Sequence, residues 1–273
     1  MSPLPSPASR STGGPGTGAP PRVPPAVLAR VFWRCLFLQA AWNRRGMQNL
    51  GFAYAIDPAL RALYPEPARR EEALGRHLRF FNCHPYMAAA ILGGAIHHEE
   101  RVAAGDEPGG QPLQYKQTLQ GPLAALGDGF FWTALRPFFG VLAALLALLL
   151  GGAGVVLALV AYNVIHLFLR IRLFRAGYQK GDAVVAEIAR LNLPVAADRL
   201  RAAGATLCGL AAALLAGRAA ALGGIAAGAL AVAAAAAGYA ALARGARLLP
   251  TAYAAALLGV AAAVAMGRLH GSS

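Results

Sequence analysis

Residues 138–161 read FFGVLAALLALLLGGAGVVLALVA, without one charged or hydrogen-bonding side chain. About 20 such residues in a helix rising 1.5 Å each cross a hydrocarbon core of roughly 30 Å. Further apolar runs follow at 203–217, 219–243 and 248–267, punctuated by Arg218 and by Arg244 and Arg247. Charged residues are 14% of the chain, against about 25% in a soluble domain. These features predict an all-α integral membrane protein. We expect amphipathic N-terminal helices, broken or re-entrant helices, and about four transmembrane spans. The C-terminal runs are rich in Ala and Gly, which permits close helix packing in lipid, and carry no visible chemistry.

The net charge is +13. The arginines flank apolar runs and no nucleic-acid motif accompanies them, so a nucleic-acid partner is excluded. Basic residues beside membrane segments fit cytoplasmic loops and attraction to anionic lipid. Cys35, Cys83 and Cys208 are far apart and form neither a disulfide framework nor a zinc site; they read as small packing residues. Residues 1–25 are rich in Pro, Gly and Ser, cannot bury a core, and read as a disordered tail without the apolar segment of a signal peptide.

From Ala26 the pattern is helical. Val27, Val31, Leu38 and Trp42 recur near helical spacing, interrupted by Arg30, Arg34, Arg44 and Arg45. Such a basic amphipathic helix suits a membrane surface, and the same face would serve equally for packing on protein. Asp57-Pro58 and Tyr64-Pro65 mark breaks or helix starts. A charged helix is predicted over 69–81, stopped by Asn82-Cys83-His84-Pro85. Pro85 then opens an apolar helix to Ile96, at about 18 Å too short to span and therefore re-entrant or broken. Residues 104–112 read as an exposed loop. The apolar run from Phe138 continues into YNVIHLFLRIRLFRAGYQKG, whose Arg170, Arg172, Arg175 and Lys180 form a basic, cytoplasmic end.

Polar residues cluster at three junctions. In WNRRGMQNLGFAY, Asn43, Gln48 and Asn49 stand among glycines and aromatics. Amides suit sugar hydroxyls, and they also cap helix ends. In FFNCHPYMAAAILGG, Asn82 and His84 stand where a short helix offers free N–H groups, or where Asn82 caps it. In GDGFFWTALRP, Asp128 is the only acid between Glu107 and Asp182, with Phe131 and Trp132 as stacking surfaces. A carboxylate there is a functional candidate; alternatively it caps the next helix or pairs with Arg136. Asn163 and His166 share a helix face, and His166 lines a polar path or bonds a carbonyl. HHEER at 97–101 reads as a wet helix end, since adjacent histidines diverge by about 100° and lack metal-ligand spacing. No Walker, kinase, nucleophile-elbow or triad motif is present.

Four stretches in order, FLQAAWNRRGMQNLGFAYAIDPALRALYP, RHLRFFNCHPYMAAAILGGAIHHEE, GPLAALGDGFFWTALRP and YNVIHLFLRIRLFRAGYQKG, resemble the IID membrane subunit of the mannose/fructose/sorbose family of the bacterial sugar phosphotransferase system. The resemblance covers about 28–181. It implies a multi-pass subunit of the bacterial inner membrane that pairs with a IIC subunit, assembles as a trimer of IIC–IID pairs, and binds a hexose between the two. The phosphoryl group is expected on a separate cytoplasmic IIB protein, served by IIA. This chain would then be a transporter subunit without catalytic residues, cofactor or metal. The substrate-binding residues expected are Asp128, Asn49, Gln48, Asn82, Trp132, Phe131 and His166. The domains implied are the tail 1–25, a IID-like core 26–181 and an Ala/Gly-rich bundle 182–273. Two departures stand out. The family's polar insertion, expected near 217–220, is replaced by continuous apolar sequence, and Cys83, His84, His97 and His98 are unusual at their positions. A degenerate, non-transporting IID-like subunit with a regulatory or scaffolding role is the alternative.

Overall fold

The computed structural model describes residues 21–244. Of the Pro/Gly/Ser-rich tract 1–25, residues 1–20 lie outside them, as does the apolar run 248–267, while Val23 is buried with its N–H on Glu100 at 2.7 Å. Among the described residues the regular structure is helical, with two isolated bridges, Asn43 to Met47 and Met47 to Phe81. The chain divides into two compact units: residues up to Gly127 with His166–Leu191, and Asp128–Ile165 with the residues from Asn192 onward.

The first unit opens with α1 (Pro25–Cys35) and α2 (Asn49–Leu63). Val31, Cys35 and Leu38 are buried while Trp42 is exposed. The apolar spacing therefore packs on protein, and it fails at Trp42 because the helix ends at Cys35. The expected break at Asp57-Pro58 does not occur; α2 runs through Pro58. Proline cannot donate to the carbonyl four residues back. Arg34 takes over that acceptor, its Nη1 donating to the Tyr54 carbonyl at 3.1 Å.

Helix α3 spans Pro67–His77, with Pro at its start, and ends four residues before the predicted stop. Helix α4 spans Ala88–Ala104. The Ala88 N–H donates to the His84 carbonyl at 2.9 Å, so Pro85 occupies the first turn as its fixed φ favours. Residues 88–96 are buried throughout, which makes α4 the centre of the unit. Burial of its Ile91, Leu92 and Ile96 contributes roughly 1.5–3 kcal/mol per side chain. Gly105, at φ +85°, ends α4 in the left-handed conformation that glycine tolerates.

Helix α5 (Gln111–Gly127), a wide π-helical turn (Asp128–Leu135) and α6 (Arg136–Leu150) follow without a break. Helix α7 runs from Gly152 to Lys180, and its second half belongs to the first unit. There α4 and α7 cross through small residues. A Cβ on Gly93 would overlap the Phe174 carbonyl, and one on Gly177 would overlap the Ala90 carbonyl. A 3-10 turn (Gly181–Ala183) and α8 (Val184–Arg190) complete the unit.

The second unit holds the π-helical turn, α6, the first half of α7 and α9 (Leu193–Ala243). The apolar run 138–161 is not one helix. Gly151 adopts φ +63° with ψ −145°, a conformation open to glycine, and splits the run into α6 and α7. Phe139 and Tyr162 meet edge to face at 5.7 Å. Residues 217–220 lie inside α9, where Arg218 donates to the Leu148 carbonyl. Gly224, at φ +79°, interrupts α9. By length and composition, Gln111–Leu150, Gly152–Ala221 and Gly223–Ala241 can each cross a membrane.

Candidate functional site

Two of the three predicted junctions meet in the first unit. Met47, at φ +57°, turns the chain so that the Gln48 N–H reaches the Phe81 carbonyl at 2.9 Å and the Phe81 N–H reaches the Gly46 carbonyl at 3.2 Å. The Gln48 side chain completes the seam. Its Nε2 donates to the Cys83 carbonyl at 2.8 Å and its Oε1 accepts the Cys83 N–H at 3.0 Å. Gln48 is 2% exposed, so its amide is committed to backbone. Asn49 is also engaged, with Nδ2 donating to the Leu78 carbonyl at 2.6 Å and Oδ1 accepting from Asn43 Nδ2 at 2.9 Å.

This scaffolding leaves Asn82 at the surface. Its N–H donates to Gln120 Oε1 at 3.0 Å, while its side chain is exposed and caps no helix. His84 beside it is buried, and its Nδ1 accepts the Tyr86 N–H at 3.2 Å. Burial first, and then Arg170, pull His84 down to about 4, so the ring is neutral at pH 7. His166 reaches the same place from α7, stacked on Tyr86 at 4.5 Å. The Arg170 guanidinium stands 5.5 Å from the same Tyr86 ring and donates to the Cys35 carbonyl at 2.7 Å. Gly127 packs against His84 so closely that a Cβ would overlap its side chain.

Asp128 follows Gly127 directly and opens the second unit. It neither caps a helix nor pairs with Arg136, because α5 runs into the π-helical turn uninterrupted. Its side chain is exposed and has no hydrogen-bond or ionic partner among the described residues. The Arg136 guanidinium lies instead over the Trp132 ring at 5.0 Å. A π-helical turn loosens backbone pairing, and here the Gly129 carbonyl accepts from Thr133 Oγ1 at 2.6 Å and from Arg201 Nη2 at 3.3 Å. Phe131 is buried and Trp132 partly so. Gln48, Asn49, Asn82 and His166 are thus grouped in the first unit, and Asp128, Phe131 and Trp132 in the second.

Residues 23–239 match the profile described as the PTS system mannose/fructose/sorbose family IID component. The chain belongs to that family. This IID chain is 40% identical over 160 residues to the mannose-specific EIID component of Escherichia coli K12, covering 58% of this chain and 56% of that protein. It is 37% identical over 162 residues to the fructose permease IID component of Bacillus subtilis, covering 58% of each. The match therefore spans somewhat more than half the length of these curated relatives. Among solved structures, a cryo-EM structure of the mannose transporter ManYZ with microcin E492 is similar at TM-score 0.57 and 35% identity, over 70% of this chain and 71% of that one.

The IID fold also carries a buried ionic cluster that sequence reasoning missed. HHEER is not a wet helix end, because α4 continues past it to Ala104. The Glu99 carboxylate is fully buried and accepts from Arg76 Nε at 2.7 Å and Nη2 at 2.8 Å, from Tyr64 Oη at 2.7 Å, and from His77 at 2.7 Å. Burial alone would raise this carboxyl, but the Arg76 and His77 hydrogen bonds outweigh it and hold it at about 2. Lys116 is buried beside it, donating to the His77 carbonyl at 3.1 Å with its ammonium 4.1 Å over Phe52. His97 and His98 turn to the Tyr178 carbonyl and to Glu107. Arg76 and His77 come from α3, Lys116 from α5 and Tyr64 from just past α2, so no local spacing announces them.

Proposed function

We propose that this IID chain is the membrane translocation subunit, with a IIC partner, of a mannose-family phosphotransferase system in the bacterial inner membrane. It imports a hexose that a separate IIB protein, served by IIA, phosphorylates. The match of residues 23–239 to the IID profile carries this reading, and the trimer of IIC–IID pairs follows from the same family. No phosphoryl-carrying residue is assigned to this chain.

Each unit offers hydroxyl-binding groups. In the first, Asn82 presents its exposed amide, and His166 stacks on Tyr86. Gln48 and Asn49 act by positioning, through the seam that fixes the Asn82 loop. In the second, Asp128 presents a carboxylate able to accept two hydroxyl hydrogen bonds. Trp132 supplies a ring face for the apolar side of a sugar, and buried Phe131 backs the turn.

The test is phosphate-coupled sugar uptake by the chain expressed with its cognate IIC and IIB. Asp128→Asn and Asn82→Ala are expected to assemble normally; the first lowers uptake about tenfold or more, since a lost charged hydrogen bond costs about 1.5–3 kcal/mol, and the second severalfold, a neutral one costing about 0.5–1.5 kcal/mol. Assembly with wild-type uptake by both variants overturns the site. Assembly of the wild type without uptake of any hexose favours a non-transporting subunit. The continuous helix at 217–220, where the family's polar insertion is expected, is the observation behind that second reading.

A further inference from the structure

The first unit has an open apolar groove between α1 and the second half of α7. It measures about 490 Å³, and Leu28, Phe32, Trp33, Ile171 and Phe174 supply its walls, with Arg175, Tyr178 and Gln179 completing the lining. Clefts of roughly 300–1,000 Å³ are the size that holds ligands. The walls are firm, since Phe32 meets Phe174 edge to face at 5.7 Å. The arginines of α1 lie on other faces of the helix. Helical geometry of 100° per residue sets Leu28, Ala29 and Phe32 on one flank with Trp33 at its edge, while Arg30 and Arg34 lie on the far side from Leu28 and Phe32.

Two observations identify the occupant. Within the first unit, Phe168 and Ile171 are exposed on α7 three residues apart, so they form a short apolar stripe. Arg175 continues that stripe by four more residues, and Ile171 and Arg175 both line the groove. The second observation is charge. Arg172 and Lys180 are spent on Glu187, at 2.8 and 2.7 Å. Arg175 is exposed and makes no ion pair among the described residues. An apolar groove with an unpaired guanidinium in its lining matches a lipid with an acyl chain in the groove and its phosphate on the arginine. Trp33, 61% exposed at the groove wall, is the residue type that settles at the headgroup level.

We propose that this groove binds an anionic phospholipid, one acyl chain lying between α1 and α7 and the headgroup phosphate on Arg175. The site is independent of the sugar-transport reading, because it lies in the first unit apart from the Asn82 junction residues and needs no partner subunit.

The full-length chain, reconstituted in nanodiscs with equal phosphatidylglycerol and phosphatidylcholine of matched acyl chains, is the material for the test. Native mass spectrometry after release reads the retained lipid. Phosphatidylglycerol is expected to be retained about fivefold over phosphatidylcholine, the preference that one arginine near an anionic surface gives. Arg175→Gln removes the preference, whereas Arg172→Gln leaves it. Ala29→Trp, on an exposed helix position lining the groove, removes retained lipid of both kinds with circular dichroism unchanged. Equal retention by the wild type overturns the proposal. So does a preference that survives Arg175→Gln, or retention unaffected by Ala29→Trp. Disulfide cross-linking of two copies through Trp33→Cys in the same nanodiscs would assign the groove to a second chain and also overturn it.

Discussion

Gln48 grips the backbone of Cys83 from both sides, donating to its carbonyl at 2.8 Å and accepting its N–H at 3.0 Å. One side chain thereby does for a loop what a neighbouring strand does in a sheet. Both residues are buried, so water cannot replace the lost partner. Gln48→Leu is expected to destabilise the first unit by about 2–4 kcal/mol, the cost of stranding a buried donor and acceptor. Hydrogen exchange gives the specific readout: the Cys83 amide should exchange much faster while α9 amides stay unchanged. Protection of Cys83 at the wild-type level would show that the loop is held by something else.

The Glu99 cluster makes the chain acid-labile in two steps. Burial first, and then Lys116, push His77 down to about 4 from an ordinary 6.5. Below pH 6.5 the unfolded chain therefore gains a proton that the folded chain refuses, and stability falls until about pH 4. Glu99, held at about 2 against an ordinary 4.5, contributes stability that is complete above 4.5 and lost as pH falls toward 2. Both act in the same direction, and the His77 part amounts to on the order of 3 kcal/mol. Denaturant unfolding at pH 7.5 and pH 5 should show the loss, and His77→Gln should flatten it over that interval. Glu99→Gln should cost about 3–5 kcal/mol at pH 7.5, because Arg76 is left buried without its counter-charge.

The α4–α7 crossing distinguishes glycines that hold the fold from glycines that do not. Gly93→Ala and Gly177→Ala each push a methyl group into a facing backbone carbonyl and should cost about 1–3 kcal/mol. Gly140→Ala meets nothing within 4 Å inside α6 and should stabilise its helix by about 0.5–1 kcal/mol. Thermal unfolding of the three variants in one detergent compares them directly. Equal shifts for all three would remove the close crossing from the account of stability.

Helical class and the polar junctions are legible in the sequence because each depends on neighbours along the chain. The apolar runs, Pro85 at a helix start and the loop after Ala104 follow from local rules. Two kinds of feature do not. Gly151 splits a run that hydropathy reads as continuous, since hydropathy is blind to a left-handed backbone. Glu99 looks like one of five polar residues at a helix end until α3 and α5 supply Arg76, His77 and Lys116. The amides of Gln48 and Asn49 show the same limit. Their residue types announced hydrogen bonding, and only the fold assigns their partners to backbone and leaves Asn82 and Asp128 exposed.

The proline in α2 has a consequence for how this chain can change. Pro58 leaves the Tyr54 carbonyl without its helical donor, and Arg34 from α1 fills the vacancy. This hydrogen bond is needed only while the proline is there, while the arginine also pairs with Asp57 at 3.4 Å. A lineage that lost Pro58 first would regain the helical bond and free Arg34 from this one task, leaving its pair with Asp57. One that lost Arg34 first would expose the defect at once. The two positions are thus coupled with a preferred order, a ratchet written into a single missing N–H.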